Sequence, residues 1–492
     1  MSSGIMTDSA YRRRVGLWLS ITLAAFLSHS FWLCMVIVGT MLLHQRAREE
    51  NPLALYAALI FAIPPISASI PGFGLVNYLF SLDYIRLLNI CLLMPAGLLF
   101  YRSRKAQGST ARASDWLLAS YIALSIALVL PVSTMTGTMR HAFTIIIDVW
   151  IPYYVASRLI RSIADFREIA AAYILAASAL AVIAAFEFLR NWLLYSPLES
   201  ALGVFWGYGS YLQRGEGGGL RALASTGHSI VLGYVLMVGI SLLIFLQSTF
   251  VKKSTTLAFG FILSVGLMVT LSKGPWVGLV AALAVGLGIG PAAGTRLTKA
   301  TMMVALAACA LWISPWGEKF IGYLPFIGDV DEGSVAYRSQ LFKASLIVIW
   351  QHPFLGSYDF IYNPALEQMR QGEGIIDIVN TYLGVALTSG LVGLALFVGP
   401  LLWAMTRVWR VWRTTLGRDP ESDALGRALL AAMTGTLVTI ATVSPINAIP
   451  TIVWFLAGIC TSYARVFELE TTSQSSSANR GSDGRLVHPR TN

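Results

Sequence analysis

The sequence predicts an all-α fold, a polytopic membrane helix bundle of about 12–14 spans with one large external loop containing short helices. Of its 492 residues, 56% are hydrophobic and 12% are charged, and the mean hydropathy is +0.66. These values lie outside the usual range of soluble domains. Apolar runs of about 17–25 residues recur from Val15 to Arg465, the length that a helix needs to cross a bilayer. Lys and Arg cluster in short connections at alternate spans, which is the positive-inside pattern.

The net charge of +10 does not indicate a nucleic-acid partner, because the basic residues follow the positive-inside pattern instead. The four cysteines all lie within apolar runs and fit small packing residues: Cys34, Cys91, Cys309 and Cys460. The sequence contains no disulfide framework, zinc-ligand spacing, P-loop, dinucleotide glycine motif or catalytic-serine elbow. We therefore expect no metal, no cofactor and no cleavable signal peptide, and any reaction must use acid–base chemistry and electrostatics.

The first apolar run, 15–43, is longer than one span requires. The basic residues before it, Arg12–Arg14, and after it, Arg46 and Arg48, both fit the cytoplasmic side, which requires an even number of crossings. We therefore predict a hairpin that turns near Ser28–Ser30, with one tilted helix as the alternative. Further spans are predicted near 52–70, 82–100, 115–131, 140–157 and 167–188.

An external loop is predicted at 190–227, followed by spans near 228–247, 254–271, 275–290 and 300–314. The next connection, about 315–375, is the longest, and loops of that length are usually functional. Within it, Arg338–Trp350 predicts an amphipathic helix at the membrane surface.

The last spans are predicted near 376–403, 427–443 and 447–464. We expect residues 1–467 to form the membrane domain and the Ser-rich segment 468–492 to be a disordered cytoplasmic tail. Both termini are expected to be cytoplasmic.

Ionisable side chains at membrane depth are candidates for function because their burial in lipid is costly. In the predicted topology six of them approach the external face: Arg140, Arg221, His228, Lys273, Arg338 and Asp377. External faces are normally poor in Lys and Arg, so this set suggests a site for a phosphate or pyrophosphate. Anchoring of lipid headgroups is the alternative.

Other intramembrane charges have plain structural interpretations. Asp83 and Arg86 are three residues apart and are expected to pair on one helix face. Asp148 and Glu187 are expected either to bind Trp, Tyr or Ser side chains within the bundle or to serve function.

Four segments resemble the O-antigen ligase and polymerase superfamily: RALASTGHSIVLGY (221–234), LSKGPWVGLVAAL (271–283), YRSQLFKASLIVIWQHPFLGS (337–357) and DIVNTYLGVALTSGLVGL (377–394). These bacterial glycosyltransferases act on lipid-linked sugars at the periplasmic face. The resemblance implies an inner (cytoplasmic) membrane location, a multi-pass chain and an active site that faces the periplasm. It also implies that the loop at about 315–375 is periplasmic.

In this superfamily two arginines are thought to hold the lipid pyrophosphate, and their positions match Arg221 and Arg338. The family's Ser-Arg dipeptide appears as Ser272–Lys273, so Lys273 joins the candidate pyrophosphate-binding set. Arg140 is included because it approaches the same predicted external face. The family's His-Asn pair reads Val379–Asn380 here, so the histidine taken as the base is missing. Asp377, His228 and Asn380 are the catalytic candidates that remain.

The resemblance implies transfer of a sugar repeat unit or chain from undecaprenyl pyrophosphate to an acceptor hydroxyl, without a metal. Exopolysaccharide or O-antigen polymerisation is the preferred reaction, and ligation to lipid A core is the alternative. A lipid-linked saccharide transporter or flippase, or an assembly scaffold, represents another class. The expected partners are the lipid-linked saccharide, the acceptor glycan and the bilayer, with a chain-length regulator or export complex as a further candidate.

Overall fold

The computed structural model describes residues 8–74, 76–103, 109–204, 220–247, 253–290, 292–314, 332–370, 374–417 and 419–483. Within these ranges seven helices are long and apolar enough to span a membrane. They are Tyr84–Arg102, Met135–Leu159, Ile163–Arg190, Ser229–Leu246, Thr381–Thr415, Pro420–Ile440 and Ile449–Glu468. Four shorter apolar helices accompany them: Phe31–Arg46, Ala113–Val129, Lys253–Val269 and Lys273–Gly288. The predicted class, an all-α polytopic membrane protein, is confirmed.

The first two helices form the predicted hairpin. Helix α1 covers Asp8–Leu27 and helix α2 covers Phe31–Arg46, with a break at the predicted turn, where His29 has a φ of 47°. Arg13, near the start of α1, forms an ion pair of 3.0 Å with Glu49, just after α2. Because the start of one helix lies beside the end of the other, the two helices run antiparallel.

The predicted span at 52–70 is wrong in length. Helix α3 covers only Pro52–Leu59, and Pro64–Pro65 follows it. Proline cannot donate to a helix and keeps its predecessor out of the helical region. The chain continues instead as two antiparallel strands, β1 (Ser67–Pro71) and β2 (Tyr78–Asp83).

The next helices follow the hairpin of β1 and β2. Helix α4 (Tyr84–Leu88) continues through a π-helical turn into α5 (Met94–Ser103), and α6 covers Ser109–Val129. A second π-helical turn joins α7 (Met135–Ile145) to α8 (Ile151–Leu159). The long α9 covers Ile163–Arg190 and the short α10 covers Pro197–Leu202.

The core of the second half is α11 (Ser229–Leu246), which is almost entirely buried. It packs against α9, against α12 (Lys253–Val269), against α13 (Lys273–Gly288) and against α18 (Pro420–Ile440). Helices α13 and α18 approach closely because small residues meet there. A Cβ at Gly278 would lie 2.8 Å from the carbonyl oxygen of Gly435. This contact fixes the end of α18 beside the start of α13, where the candidate site lies.

Helix α14 covers Ala293–Ile313, and the part of the predicted external segment between 315 and 331 lies outside the described residues. Helix α15 covers Glu332–Gln351 and contains the predicted helix Arg338–Trp350. The short α16 (Pro364–Glu367) follows, and α17 covers Thr381–Thr415. The chain after α15 packs into a kink of α17 at Gly390, whose φ is 66°. There the amide of Leu391 donates to the carbonyl oxygen of Pro353 at 2.8 Å.

The C-terminal elements differ from the prediction in two places. Helix α17 continues to Thr415, beyond the end of the span predicted near 376–403. The last helix, α19 (Ile449–Asp483), continues into the segment 468–492 for which the sequence predicts disorder. No proline or glycine interrupts the chain between 468 and 480, and each added residue of a formed helix gains one backbone hydrogen bond. Residues 484–492 lie outside the described part.

Candidate functional site

The start of α13 brings two of the predicted cations together. Lys273 is the first residue of α13, directly after its N-cap residue Ser272. The Nη2 atom of Arg221 donates a hydrogen bond to Oγ of Ser272 at 3.0 Å. Arg221 therefore lies beside the N-terminus of α13, although it is about 50 residues away along the chain.

A buried carboxylate, Glu187 near the end of α9, shapes the segment that carries Arg221. Its Oε2 atom accepts hydrogen bonds from the amides of Leu223 at 2.9 Å and Ala224 at 2.8 Å. Its Oε1 atom accepts from the amide of Leu194 at 3.1 Å. The side chain of Glu187 is fully buried, so these amides are the partners that compensate its desolvation. The sequence suggested Trp, Tyr or Ser partners for Glu187, and the structure gives backbone amides instead.

Arg338 is linked to the start of α13 by the connection between α18 and α19. Its Nη1 atom donates to the carbonyl oxygen of Thr442 at 3.4 Å. Thr442 also packs against Gly274, where an added Cβ would lie 2.4 Å from the Thr442 hydroxyl oxygen. Since Gly274 follows Lys273, one threonine contacts both the α13 terminus and Arg338. We call Arg221, Lys273 and Arg338 the cation cluster.

Asp377 supplies a carboxylate beside the cation cluster. Its Oδ1 atom accepts a hydrogen bond from Oγ of Ser444 at 2.8 Å. Its carbonyl oxygen accepts from the hydroxyl of Tyr337 at 3.1 Å, and Tyr337 precedes Arg338. The charge of Asp377 also acts on Arg338, opposing the lowering of the arginine's pKa that desolvation causes. The carboxylate therefore lies within electrostatic range of the cluster.

The backbone around Asp377 decides which way its side chain lies. Residues 375–380 are not helical, and α17 begins only at Thr381. The amide of Val379 donates to the carbonyl oxygen of Asp377 at 3.0 Å, and the amide of Asn380 donates to that of Ile378 at 2.7 Å. Such successive γ-turn bonds repeat about every two residues, which places side chains two apart on the same side. Asp377 thus shares a side with Val379, the position where the superfamily carries its histidine.

Asn380 is the N-cap residue of α17. Its Oδ1 atom accepts hydrogen bonds from the amides of Tyr382 at 2.9 Å and Leu383 at 3.2 Å. This side-chain oxygen therefore stabilises the helix start.

His228 is the N-cap residue of α11. Its Nδ1 atom accepts a hydrogen bond from the amide of Ile230 at 3.1 Å. Burial and the charge of Arg221 lower the pKa of His228 to about 4, against the opposing effect of Asp377. At neutral pH the ring is therefore uncharged, with its proton on Nε2. In this tautomer the free edge of the ring donates a hydrogen bond and does not accept a proton.

Arg140 binds to strand β2. Its Nε donates to the carbonyl oxygens of Tyr78 and Leu79, both at 3.1 Å. Its guanidinium carbon lies 3.6 Å from the centre of the Tyr78 ring. Within the described part of the chain, none of its hydrogen bonds reaches the cluster. The described contacts thus link Arg221 and Arg338 to the start of α13, where Lys273 lies, and link Arg140 to β2.

The connection between α18 and α19, residues 441–448, was missed by the sequence analysis. Thr442 contacts Arg338 and Ser444 contacts Asp377. Asn447, whose φ is 47°, donates through Nδ2 to the carbonyl oxygen of Thr226 at 3.1 Å. A signal was present in SPINAIP (444–450), where Pro445 cannot continue a helix and the polar Ser444 and Asn447 flank it.

Helix dipoles add to the charge of the site. The N-cap residues of helices α11, α13 and α17 border the site: His228, Ser272 and Asn380. The N-terminus of a helix carries a partial positive charge and favours anions. The described residues contain no group of three or more His, Cys, Asp or Glu that could hold a metal ion. The arrangement can bind an anion and offers one nearby carboxylate for proton transfer.

Comparison with protein families gives a match to the O-antigen ligase family over residues 257–398. The matched region contains Lys273, Arg338, Asp377 and Asn380, whereas Arg221 and His228 precede it. No curated protein matches the chain in a sequence comparison. The family match confirms the resemblance to the O-antigen ligase and polymerase superfamily. With the seven apolar helices of the described residues, it indicates a multi-pass bacterial membrane protein with a ligase- or polymerase-type function.

Proposed function

We propose that this chain, similar to the O-antigen ligases over residues 257–398, transfers a saccharide from undecaprenyl pyrophosphate to an acceptor hydroxyl at the periplasmic face. The observation that carries the proposal is the meeting of the cation cluster with one carboxylate, Asp377, at one end of the bundle. A pyrophosphate needs cations, and a hydroxyl nucleophile needs a base. Both are present within one site.

The cation cluster serves the leaving group. When the bond between the anomeric carbon and the pyrophosphate oxygen breaks, negative charge grows on that oxygen. Arg221, Lys273 and Arg338 neutralise this charge, and the guanidinium groups can each bind phosphate oxygens in a bidentate way. The N-terminus of α13 adds backbone amides directed at the same anion. Interactions that strengthen as charge develops lower the barrier, since they stabilise the transition state more than the ground state.

Asp377 is the proposed general base. As the acceptor oxygen attacks the anomeric carbon, its proton passes to the Asp377 carboxylate and undecaprenyl pyrophosphate leaves with the bonding electrons. This one-step displacement inverts the anomeric centre. A positioned base contributes on the order of 10²–10⁴-fold to the rate. Asp377 fits this role better than His228, whose Nδ1 is engaged in capping α11; the Nε2–H of His228 is a donor for a pyrophosphate oxygen.

Polymerisation of an exopolysaccharide or O-antigen is the preferred form of this reaction. Its support is Val379, which stands where ligases of the superfamily carry their histidine, with a carboxylate on the same side of the chain. Ligation of a polysaccharide to lipid A core is the second candidate, and the description of the matched family favours it. The two reactions differ in the acceptor and use the same donor site.

The experiment uses the purified full chain in lipid nanodiscs. The substrate is the lipid-linked oligosaccharide that accumulates in the source bacterium when the gene for this protein is deleted. The proposal predicts release of undecaprenyl pyrophosphate, detected by mass spectrometry, together with longer lipid-linked products. Release that requires added lipid A core would favour the ligase. A transporter or scaffold would release none, and that result would refute the proposal.

A further inference from the structure

A cavity of about 660 Å³ with both polar and apolar walls lies next to the candidate site. Its walls come from β1, from the end of β2 with α4, from the junction of α7 and α8, and from the connection before α19. Residues with hydroxyl, carboxylate, guanidinium, imidazole and amide groups line it, including Ser67, Asp83, Arg86, His141, Asp148 and Asn447. These groups offer both hydrogen-bond donors and acceptors to a ligand.

The charges of the cavity do not suit a pyrophosphate. Arg86 forms an ion pair with Asp148 across helices, with Nη2 and Oδ2 at 3.0 Å and Nε and Oδ2 at 3.1 Å. Asp83, the N-cap residue of α4, lies 3.6 Å from the same guanidinium. Among the described lining residues, the carboxylates of Asp83 and Asp148 thus face a single cation, Arg86. The net charge of this wall is therefore negative. It would repel a second phosphate and accept hydrogen bonds from the hydroxyl groups of a neutral ligand.

One short connection separates the cavity from the cation cluster. Thr442 and Ser444 face the cluster side, where they contact Arg338 and Asp377. Pro445 and Asn447 line the cavity. A glycosyl transfer requires the attacking hydroxyl beside the anomeric carbon, so two saccharides must lie in adjacent places. The cavity is therefore adjacent to Asp377, the proposed base, and to the cation cluster, the proposed site of the pyrophosphate.

We propose that this cavity is the binding site for the acceptor saccharide. The inference rests on the proposed function and extends it from the donor to the second substrate. Acceptor hydroxyls donate to the carboxylates of Asp83 and Asp148. Tyr358, whose side chain is 40% exposed and whose ring lies 6.3 Å from that of His141, offers an aromatic face for a sugar ring at the edge of the cavity. The saccharide part of the donor is the competing occupant with the same chemistry.

The test compares two probes on the purified chain in nanodiscs. One probe is undecaprenyl pyrophosphate, and the other is the soluble oligosaccharide released by mild acid from the lipid-linked substrate. Thr144→Trp fills the cavity from α7, and Ser67→Phe fills it from β1. Met139→Trp is the control, since it also introduces a tryptophan on α7, at a residue that is 62% exposed.

Both cavity variants should weaken oligosaccharide binding at least tenfold and leave the affinity for undecaprenyl pyrophosphate within twofold. Met139→Trp should change neither affinity. Retained binding of undecaprenyl pyrophosphate shows that a variant is folded. Unchanged oligosaccharide binding in Thr144→Trp and Ser67→Phe would overturn the proposal. A wild-type chain that binds no undecaprenyl pyrophosphate would refute the proposed function without changing the oligosaccharide comparison.

A final measurement separates acceptor from donor saccharide. The Asp377→Asn variant, which should bind without turnover, is saturated with undecaprenyl-pyrophosphate-linked monosaccharide before the soluble oligosaccharide is added. Binding that persists supports an acceptor site. Binding that is blocked assigns the cavity to the donor and overturns the proposal.

Discussion

Glu187 gives a sharp test of how the structure positions Arg221. The Glu187→Gln substitution keeps the size of the side chain and removes its charge. At present two carboxylate oxygens accept three backbone amides, those of Leu194, Leu223 and Ala224. A glutamine has only one oxygen, so its amide nitrogen must face an N–H group with which it cannot bond.

The size of the effect follows from that geometry. A hydrogen bond to a charged group contributes about 1.5–3 kcal/mol, against about 0.5–1.5 kcal/mol for a neutral one, and a buried donor left without a partner costs about 1–3 kcal/mol. The orphaned amide is that of Leu194. Replacing two charged bonds by neutral ones at Leu223 and Ala224 should cost the segment 221–226 about 2–3 kcal/mol. Because about 1.4 kcal/mol corresponds to a factor of ten, the amides of this segment should open on the order of 100-fold more often.

Hydrogen–deuterium exchange with mass spectrometry measures this directly on the purified protein. Peptides that cover 221–226 should exchange much faster in Glu187→Gln than in the wild type, and peptides from α18 should not change. Glu367→Gln is the control, because that carboxylate is 60% exposed and exposed ion pairs contribute little. Wild-type exchange at Leu223 and Ala224 in Glu187→Gln would refute the positioning role.

Three further predictions concern the base, a cap and a kink. Asp377→Asn keeps the hydrogen bond to the neighbouring serine and should lower kcat about 10²–10⁴-fold, whereas the exposed Asp359→Asn should not; equal activity of both variants would exclude Asp377 as the base. Because burial and a nearby positive charge lower the pKa of His228 to about 4, the unfolded chain takes up this proton first as the pH falls below about 6.5. Stability should therefore decrease between pH 6.5 and about 4, less steeply in His228→Asn, and parallel unfolding temperatures of the two proteins over this range would contradict the argument. Gly390→Ala would place a Cβ 2.2 Å from the carbonyl oxygen of Phe354 at a φ of 66° and should destabilise the protein by about 2–4 kcal/mol, measured by thermal unfolding; an unchanged unfolding temperature would exclude this tight contact.

The sequence predicted most of the membrane architecture because apolar length and loop charge act locally. The break at Ser28–Ser30 and the helix within the external segment followed from the same signals. The hairpin of β1 and β2 did not, because the apolar composition of 52–70 hid the effect of Pro64–Pro65 on helix length. Apolar composition alone therefore does not predict where a helix ends.

The sequence did not predict where each candidate residue lies within the membrane plane. Loop charges assign each span end to one side of the membrane, so they grouped Arg140 with Arg221 and Arg338. Position within the membrane plane depends on helix packing, and packing places Arg140 on the hairpin of β1 and β2.

The sequence also did not predict contacts between residues that are far apart along the chain. The Asp83–Arg86 pair was expected from its spacing, and the two residues do approach within 3.6 Å. Arg86 binds more closely to Asp148, 62 positions further along the chain. No local pattern indicates that contact.

The central claim is that the cation cluster holds the pyrophosphate of the donor. The most direct measurement is the dissociation constant of undecaprenyl pyrophosphate for the wild type, Arg338→Ala and Arg140→Ala, each purified in nanodiscs. Loss of one charge-assisted contact of about 1.5–3 kcal/mol predicts roughly 10–100-fold weaker binding in Arg338→Ala and no change in Arg140→Ala. Equal affinity of Arg338→Ala and the wild type would contradict the account.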